Sequence, residues 1–170
     1  MTTGTYLRAK ARLNVIRGYP GNETVGLTFS ALPKTGEAIL SGMIISIDVN
    51  GQWIKGVPAG KKPYFAWHDQ TDTDVVSSGL LLGLSCAASL ELETGYADFN
   101  QTYVQDSPIK ADSGTAGSVT LTTLSGGADI IGFATHGGRQ DTTKTNSEGG
   151  TVAGPNYALS LTTNWKPIHT

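Results

Sequence analysis

The residues of this sequence that could do chemistry are few, and none is spaced as a known catalytic motif requires. Residues 56–62 (GVPAGKK) resemble a phosphate-binding loop, but they have one residue too few between the glycines and lack the Ser or Thr that should follow the lysine. Residues 83–87 (GLSCA) approach the nucleophile elbow of hydrolases, but alanine replaces the second glycine and a strand continues where a helix is needed. We therefore interpret Ser85 as a core or interface serine.

Metal ligands are equally sparse. The three histidines stand far apart, without the three-to-five-residue spacing of a helical or hairpin metal site. Asp69, Asp72 and Asp74 offer carboxylates to calcium, but the glycine and glutamate that complete an EF-hand are missing. Glu91 and Glu93 would share one strand face about 7 Å apart, which superficially suits a glycosidase, although two acids on a solvent-facing strand are the commoner arrangement. The sequence predicts no catalytic residue, no metal and no cofactor.

Aromatic residues are the other candidate for a binding surface. Tyr64, Phe65 and Trp67 lie close together, directly after Lys61 and Lys62. Exposed aromatic rings stack on sugar rings or on nucleic-acid bases. A core role is the commoner one for at least one face of such a strand, so both interpretations stay open.

Composition limits the class of protein. A chain of 170 residues with a net charge of −2 suits one domain and argues against a nucleic-acid-binding domain, which is usually strongly basic. The single Cys86 cannot form an intramolecular disulfide, and its apolar neighbours predict a small buried residue rather than an activated thiol. No apolar run approaches the about 20 residues that span a bilayer, and the charged start does not resemble a signal peptide. We expect no membrane contact and synthesis in a cytoplasm.

The charges are unevenly distributed along the chain. Four basic residues precede the first acidic one: Arg8, Lys10, Arg12 and Arg17. Residues 1–22 therefore carry +4 and, by subtraction from the net −2, residues 23–170 carry −6. Such an asymmetry commonly marks an arm that contacts another chain, and a solvated basic strand explains it equally well. We predict a basic N-terminal arm or strand over residues 1–22 and a single β domain over residues 23–170.

The elements that position these residues are short strands punctuated by glycine. Apolar and polar residues alternate over residues 7–15, the period of a half-buried strand. Asn50-Gly51 separates two such runs and predicts a hairpin with a type I′ turn, because both residues tolerate positive φ. Gly126-Gly127 predicts a second hairpin, with residues 129–135 as its return strand. The predicted strands are residues 7–15, 25–31, 43–49, 52–55, 64–67, 79–86, 89–93, 102–105, 118–124, 129–135 and 157–165.

This pattern predicts the fold class. Residues 137–155 are rich in glycine and threonine and predict a long mobile loop. About ten short strands without a convincing helix predict an all-β fold, an antiparallel β-sandwich or barrel that is jelly-roll-like, with long glycine-rich loops and an N-terminal arm or strand. No linker divides the chain into two cores, and no internal repeat is clear enough to imply a solenoid.

Three segments carry a resemblance to a known class of proteins. Residues 38–55 (AILSGMIISIDVNGQWIK) resemble the small-Gly-apolar-apolar, strand, Asn/Asp-Gly, strand unit of the capsid decoration and cement proteins of tailed bacteriophages. Residues 78–85 (SGLLLGLS) and 129–138 (DIIGFATHGG) are similar to the same class, in which a final strand follows the last motif. The resemblance is diffuse and covers roughly a third of the chain, and strands around glycine turns recur in many β proteins.

The resemblance implies a structural virion protein on the capsid exterior, made in the host bacterium. Its partner would be the major capsid protein, whose shell it would stabilise as a homotrimer, with no catalysis, no cofactor and no direct nucleic-acid binding. We expect capsid or inter-subunit contacts at Arg8, Lys10, Arg12, Arg17 and Tyr19.

Other functions stay open. A carbohydrate-binding or host-adhesion module of a phage tail would place Tyr64, Trp67 or Trp53 along a groove. A tail-tube or head-completion protein would form rings. A small hydrolase would need an acid, base or nucleophile arrangement that no spacing here announces.

Overall fold

The computed structural model describes residues 14–17, 28–70, 79–87, 89–98, 100–124, 130–135, 139–145 and 151–165. In these ranges the chain forms twelve strands and no helix. The strands are β1 (Asn14–Arg17), β2 (Thr28–Ala31), β3 (Ile44–Ile47), β4 (Trp53–Lys55), β5 (Tyr64–Ala66), β6 (Leu81–Ser85), β7 (Glu91–Thr94), β8 (Pro108–Ala111), β9 (Val119–Leu121), β10 (Ile130–Ala134), β11 (Arg139–Thr145) and β12 (Thr151–Thr163). Across the described ranges, then, there is no helix of the length and apolarity that crossing a membrane takes.

The strands form two antiparallel sheets. The first has five strands in the order β2-β6-β5-β3-β4. The second has seven, in the order β1-β7-β12-β10-β8-β9, with β11 paired to β12. The predicted all-β, antiparallel sandwich fold is confirmed.

The core has two parts. The larger apolar cluster joins the sheets, with Phe65 and Leu84 from the five-stranded sheet and Leu92 and Leu161 from the seven-stranded sheet. The smaller cluster lies on the other face of the five-stranded sheet, around the fully buried Trp53. The five-stranded sheet therefore buries both of its faces, which explains the nearly continuous apolar sequence of β6.

Each sheet curls until the chain that leaves β2 or β7 reaches the last strand of the same sheet, β4 or β9. After β2, Pro33 forms a parallel bridge with Trp53 of β4, and after β7, Ala97 forms one with Val119 of β9. These bridges satisfy backbone groups that an open edge strand would leave unpaired.

The hairpin at Asn50-Gly51 is confirmed, but its turn type was predicted wrongly. Gly51 has φ +78°, whereas Asn50 is not among the described residues with positive φ, as a type I′ turn would require. The Gly51 N–H donates to the Asp48 carbonyl oxygen at 3.3 Å, and the Asp48 N–H donates to that of Gln52 at 2.9 Å. The connection is thus a type I turn closed by a left-handed glycine, because the Asp48 carboxylate accepts the N–H groups of Asn50 and Gln52 and fixes this geometry.

Two predicted connections are wrong. Strands β9 and β10 are not partners, since β8 lies between them in the sheet. The predicted mobile loop at residues 137–155 contains β11 and the first part of β12, which pair from Arg139↔Ala158 to Thr145↔Thr151. Threonine favours strands, and a partner strand supplies the backbone hydrogen bonds that a loop would leave to water.

One predicted strand is absent, and another is described only in part. No strand occupies residues 102–105, where Tyr103 is buried within a turn-rich connection, and β8 begins instead at Pro108. Proline is tolerated at the first residue of a strand. The N-terminal strand runs from Asn14 to Arg17, and residues 7–13 of the predicted strand lie outside the described residues.

Candidate interaction surface

Three large apolar side chains are exposed along one edge of the five-stranded sheet. Phe29, Leu32 and Leu80 have 45%, 49% and 40% of their surface accessible. Leu32 and Leu80 come one residue beyond the last pair of the β2–β6 ladder, Ala31↔Leu81, so they are cross-strand neighbours. We call these three residues the apolar patch. Leu32 and Leu80 are the adjacent pair among the three, and neighbouring exposed apolar groups mark sites where proteins interact.

An aromatic cluster holds Phe29, one of the three residues of the patch. The Phe29 ring packs edge-on against Trp53, with 5.8 Å between ring centroids, and lies 6.2 Å from the Tyr64 ring. The Trp53 indole N–H donates to the Leu81 carbonyl oxygen at 2.7 Å, which fixes the ring inside the curled sheet. The ammonium nitrogen of Lys62 lies 5.2 Å from the centroid of Tyr64, within the range of a cation–π contact. The Phe29 ring is therefore held in place by packed aromatic side chains.

The three aromatic residues of the adhesion interpretation do not lie on one exposed surface. Trp53 is fully buried. Tyr64 packs on the smaller apolar cluster and Trp67 on the larger one, so these two residues lie on opposite faces of the five-stranded sheet. Tyr64 and Trp67 are three residues apart, and residues at odd spacing along a strand point to opposite faces of the sheet. The tertiary structure adds that each face is packed against an apolar cluster.

The predicted basic contact residues fall mostly outside the described part of the chain. Arg8, Lys10, Arg12 and Tyr19 lie outside it, and their contact role stays a prediction. Arg17 is the last residue of β1, and the strand register places it opposite Glu91 of β7.

The candidate catalytic fragments have structural roles. Residues 56–62 link β4 to β5, where the Lys61 N–H closes a turn onto the Pro58 carbonyl oxygen at 3.0 Å. Ser85 is buried at the end of β6, as predicted. The Asp69 carboxylate accepts the Ser41 N–H at 2.8 Å and so ties two loops together. Within the described ranges no three potential metal-binding side chains cluster.

The buried Cys86 agrees with its sequence interpretation. Its side chain has no accessible surface, and burial raises the pKa of the thiol far above its usual range. The thiolate is the reactive form of cysteine, so Cys86 acts as a small apolar core residue at neutral pH.

A cleft of about 320 Å³ opens at the seam between the two sheets. One wall is residues 55–59, which begin at the last residue of β4, and the other is formed by residues 111–113 and 116, at the end of β8 and in the β8–β9 turn. Lys55 and Asp112 are the charged side chains among its lining residues, which are otherwise small or apolar. The cleft marks where the two sheets meet.

Comparisons of this chain with protein-family models, curated proteins and solved structures find no match. The apolar patch was missed by sequence reasoning because Leu80 belongs to an apolar run that predicted burial on both faces. Leu80 is exposed because it lies one residue beyond the β2–β6 ladder, which ends at the pair Ala31↔Leu81.

Proposed function

We propose that this protein is a structural component of a tailed-bacteriophage head, a decoration or cement protein that binds the assembled capsid shell and stabilises it. The observation that carries the proposal is the apolar patch of Phe29, Leu32 and Leu80, held on a two-sided core. A cement protein acts by covering seams between shell subunits, and exposed apolar side chains on a rigid support are suited to that contact.

The segments that resemble decoration proteins are the framework of the fold. Residues 38–55 contain the β3–β4 hairpin, residues 78–85 contain β6, and residues 129–138 contain β10. The likeness thus involves strands of both sheets. These segments supply four of the twelve strands described.

The proposed partner is the major capsid protein on the outer face of the head, and the proposed assembly is a homotrimer. In this arrangement the basic N-terminal segment with Arg8, Lys10, Arg12, Arg17 and Tyr19 lies on an acidic shell surface or on a neighbouring subunit. The strand β1 supplies the anchor, since it adds to the edge of β7 through backbone pairing.

The patch is tested by charge-neutral polar substitution. The double variant Leu32→Ser, Leu80→Ser should reduce co-sedimentation with undecorated heads at least about tenfold, because each buried leucine is worth about 1.5–3 kcal/mol. The matched control is Val49→Ser, which changes an 89% exposed side chain at the tip of the β3–β4 hairpin. All proteins should melt at similar temperatures. Full head binding by the folded double variant would exclude the patch as the contact surface.

The basic segment is tested separately. Replacing Arg8, Lys10, Arg12 and Arg17 with alanine should weaken head binding at low salt and flatten its salt dependence, because screened charge–charge attraction is removed. Unchanged occupancy would reject the role of this segment. Light scattering on the free protein decides the assembly: a trimer that co-sediments with heads supports the proposal, and a monomer that ignores heads overturns it.

A further inference from the structure

The two sheets follow the same path through space. We name β2 to β6 the first unit, and β7 to β10 with β12 the second unit. In both, the first strand pairs with the fifth, the fifth with the fourth, the fourth with the second, and the second with the third. All of these pairs are antiparallel, and in both units the chain after the first strand bridges in parallel to the third. Strands β1 and β11 are additions to the second unit.

The agreement extends to the register of the strands. In each unit an equivalent residue of the second strand is paired on both of its sides: Ile45 with Lys55 and Tyr64, and Ile109 with Leu121 and Gly132. In the second unit Lys110 is also paired on both sides, because the β8–β10 ladder shifts register between Ile130 and Gly132. Three further ladders agree, and in each the pair of the first unit is given before that of the second. Between the second and third strands the pairs are Ile47↔Trp53 and Ala111↔Val119. Between the fourth and fifth strands they are Phe65↔Leu84 and Phe133↔Thr162, and between the first and fifth strands Ala31↔Leu81 and Thr94↔Leu159. A slip of one residue in a ladder would break this correspondence.

The hairpin between the second and third strands repeats its turn chemistry. The carboxylates of Asp48 and Asp112 each accept the N–H of the residue two positions later, Asn50 or Gly114, at 2.8 Å. Each aspartate also donates its own N–H across the hairpin, to Gln52 at 2.9 Å or to Ser118 at 2.8 Å. The residue before this acceptor is a glycine with positive φ in both, Gly51 at +78° and Gly117 at +90°. The second hairpin is two residues longer between these fixed ends.

The turn that enters the second strand is also repeated. Gly42 has φ +88°, and the equivalent residue is Asp106 with φ +64°, the one non-glycine residue with positive φ among those described. Gly42 donates its N–H to Ala66 and Asp106 to Ala134, both at 2.8 Å, and these two alanines are equivalent. A left-handed aspartate costs free energy relative to glycine, so its presence indicates that the unit itself requires this conformation.

From these coincidences we infer that the chain contains two copies of one five-stranded unit, produced by internal duplication. The sequence retains a trace at one place, where Phe65-Ala66 and Phe133-Ala134 occupy equivalent positions and each pair is followed two residues later by histidine. Elsewhere side chains have diverged while backbone hydrogen bonds and turn conformations have been kept. The inference does not depend on the proposed function.

The two units pack head to tail. The Ile44 N–H of the first unit donates to the Gly117 carbonyl oxygen of the second at 2.9 Å, and the Thr94 hydroxyl of the second donates to the Gly42 carbonyl oxygen of the first at 2.7 Å. Different surfaces of the unit thus meet, as in a heterologous interface that a third unit could extend. The residue equivalent to Ile44 is Pro108, which has no N–H, and the residue equivalent to Thr94 is Ala31, which has no hydroxyl. The Ile44-type hydrogen bond is therefore not available at the free surface of the second unit, and the Thr94-type hydrogen bond is not available at the free surface of the first unit.

The inference predicts that equivalent turns are interchangeable. In the test variant, residues 49–51 (VNG) of the first unit are replaced by residues 113–117 (SGTAG) of the second. The matched control receives the same five residues in the order GSGTA, which puts alanine where positive φ is needed. The test variant should melt within about 3 °C of the parent and the control about 2–8 °C below the test variant, because a left-handed alanine is strained.

A crystal structure of the test variant gives the second measurement. The transplanted loop should again show the Asp48 carboxylate accepting the N–H two positions later, and the Asp48 N–H donating to the Gln52 carbonyl oxygen. A test variant that melts no higher than the control, or whose loop lacks these two hydrogen bonds, would overturn the equivalence of the two units.

Discussion

Replacing Gly83 with alanine should destabilise the protein by overfilling the five-stranded sheet. Gly83 lies in β6 beside Trp53, and a methyl group at its Cα would lie 2.5 Å from Cη2 and 2.7 Å from Cζ2 of the indole ring. It would also lie 3.2 Å from Cβ of Tyr64. Carbon atoms in contact prefer about 3.5–4.0 Å, so the ring must shift by about 1 Å. Glycine is required here by space, since its φ is not positive.

The expected cost combines three effects. Overfilling a packed core costs about 1–3 kcal/mol. Moving the ring also stretches the 2.7 Å hydrogen bond from the Trp53 indole to Leu81, and a buried donor left unpaired costs about 1–3 kcal/mol. Alanine offsets about 0.4–1 kcal/mol of this by restricting the unfolded chain. The net loss is about 1–5 kcal/mol, or roughly 2–20 °C in Tm for a chain of this size.

Chemical unfolding followed by circular dichroism measures the change, with Gly114→Ala as the control. Gly114 is exposed and a methyl group there meets only the Asp112 carboxylate, at 3.3 Å, so its replacement should change stability by less than about 0.5 kcal/mol. In a Trp53→Phe background, Gly83→Ala should cost less, because the smaller ring leaves room. An equal cost in both backgrounds would refute the proposed contact between Gly83 and Trp53.

Three further outcomes are expected. Asp106→Gly should stabilise the protein by about 0.5–1 kcal/mol in urea unfolding, because glycine adopts the left-handed conformation of residue 106 without strain. The control Gln105→Gly should destabilise the protein, because residue 105 does not have positive φ. If Gln105→Gly were the more stable variant, the positive φ of residue 106 would be contradicted. Gly51→Val should lower stability by about 1–2 kcal/mol, because a β-branched residue resists φ +78°, and an unchanged melting temperature would mean that the turn is misassigned. Burial raises the pKa of both Cys86 and Tyr103, so the stability they contribute is present below their unfolded pKa values of about 8.5 and 10 and should fall as pH rises above them. The midpoint of urea unfolding, measured from about pH 7 to about pH 11, follows this decline in stability. Cys86→Ala should remove the part of the decline that begins near about pH 8.5. A midpoint that does not change with pH in the parent protein would contradict the burial of both groups.

Local patterns in the sequence were sufficient for the fold class and for most strand positions. The alternation of Leu90 and Leu92 with Glu91 and Glu93 identified β7, whose leucines are buried and whose acids are not fully covered. Asn50-Gly51 located a hairpin because a tight reversal needs a residue that accepts positive φ. The turn type was missed, since it depends on the carboxylate of Asp48 and not on the Asn-Gly pair alone.

Strand order needed the tertiary structure. A sequence pattern reports which residues are half-buried, but every strand offers the same backbone donors and acceptors to any partner. The insertion of β8 between β9 and β10, and the pairing of β11 with β12, are therefore choices made by the packing of the whole sheet. The apolar patch has the same origin, because Leu80 and Leu81 are alike in sequence and differ only in what covers them.

By itself, the sequence determined that this protein is built of short antiparallel strands around glycine turns, because residue alternation and positive φ are local properties. Tertiary structure alone decided that ten of these strands form two copies of one unit. The copies share backbone registers and turn hydrogen bonds, and main-chain pairing leaves little trace in side-chain identity once the core has been refilled by different residues. Trp53 and Val119 occupy equivalent positions in the two units, although a tryptophan and a valine share neither size nor hydrogen-bonding groups.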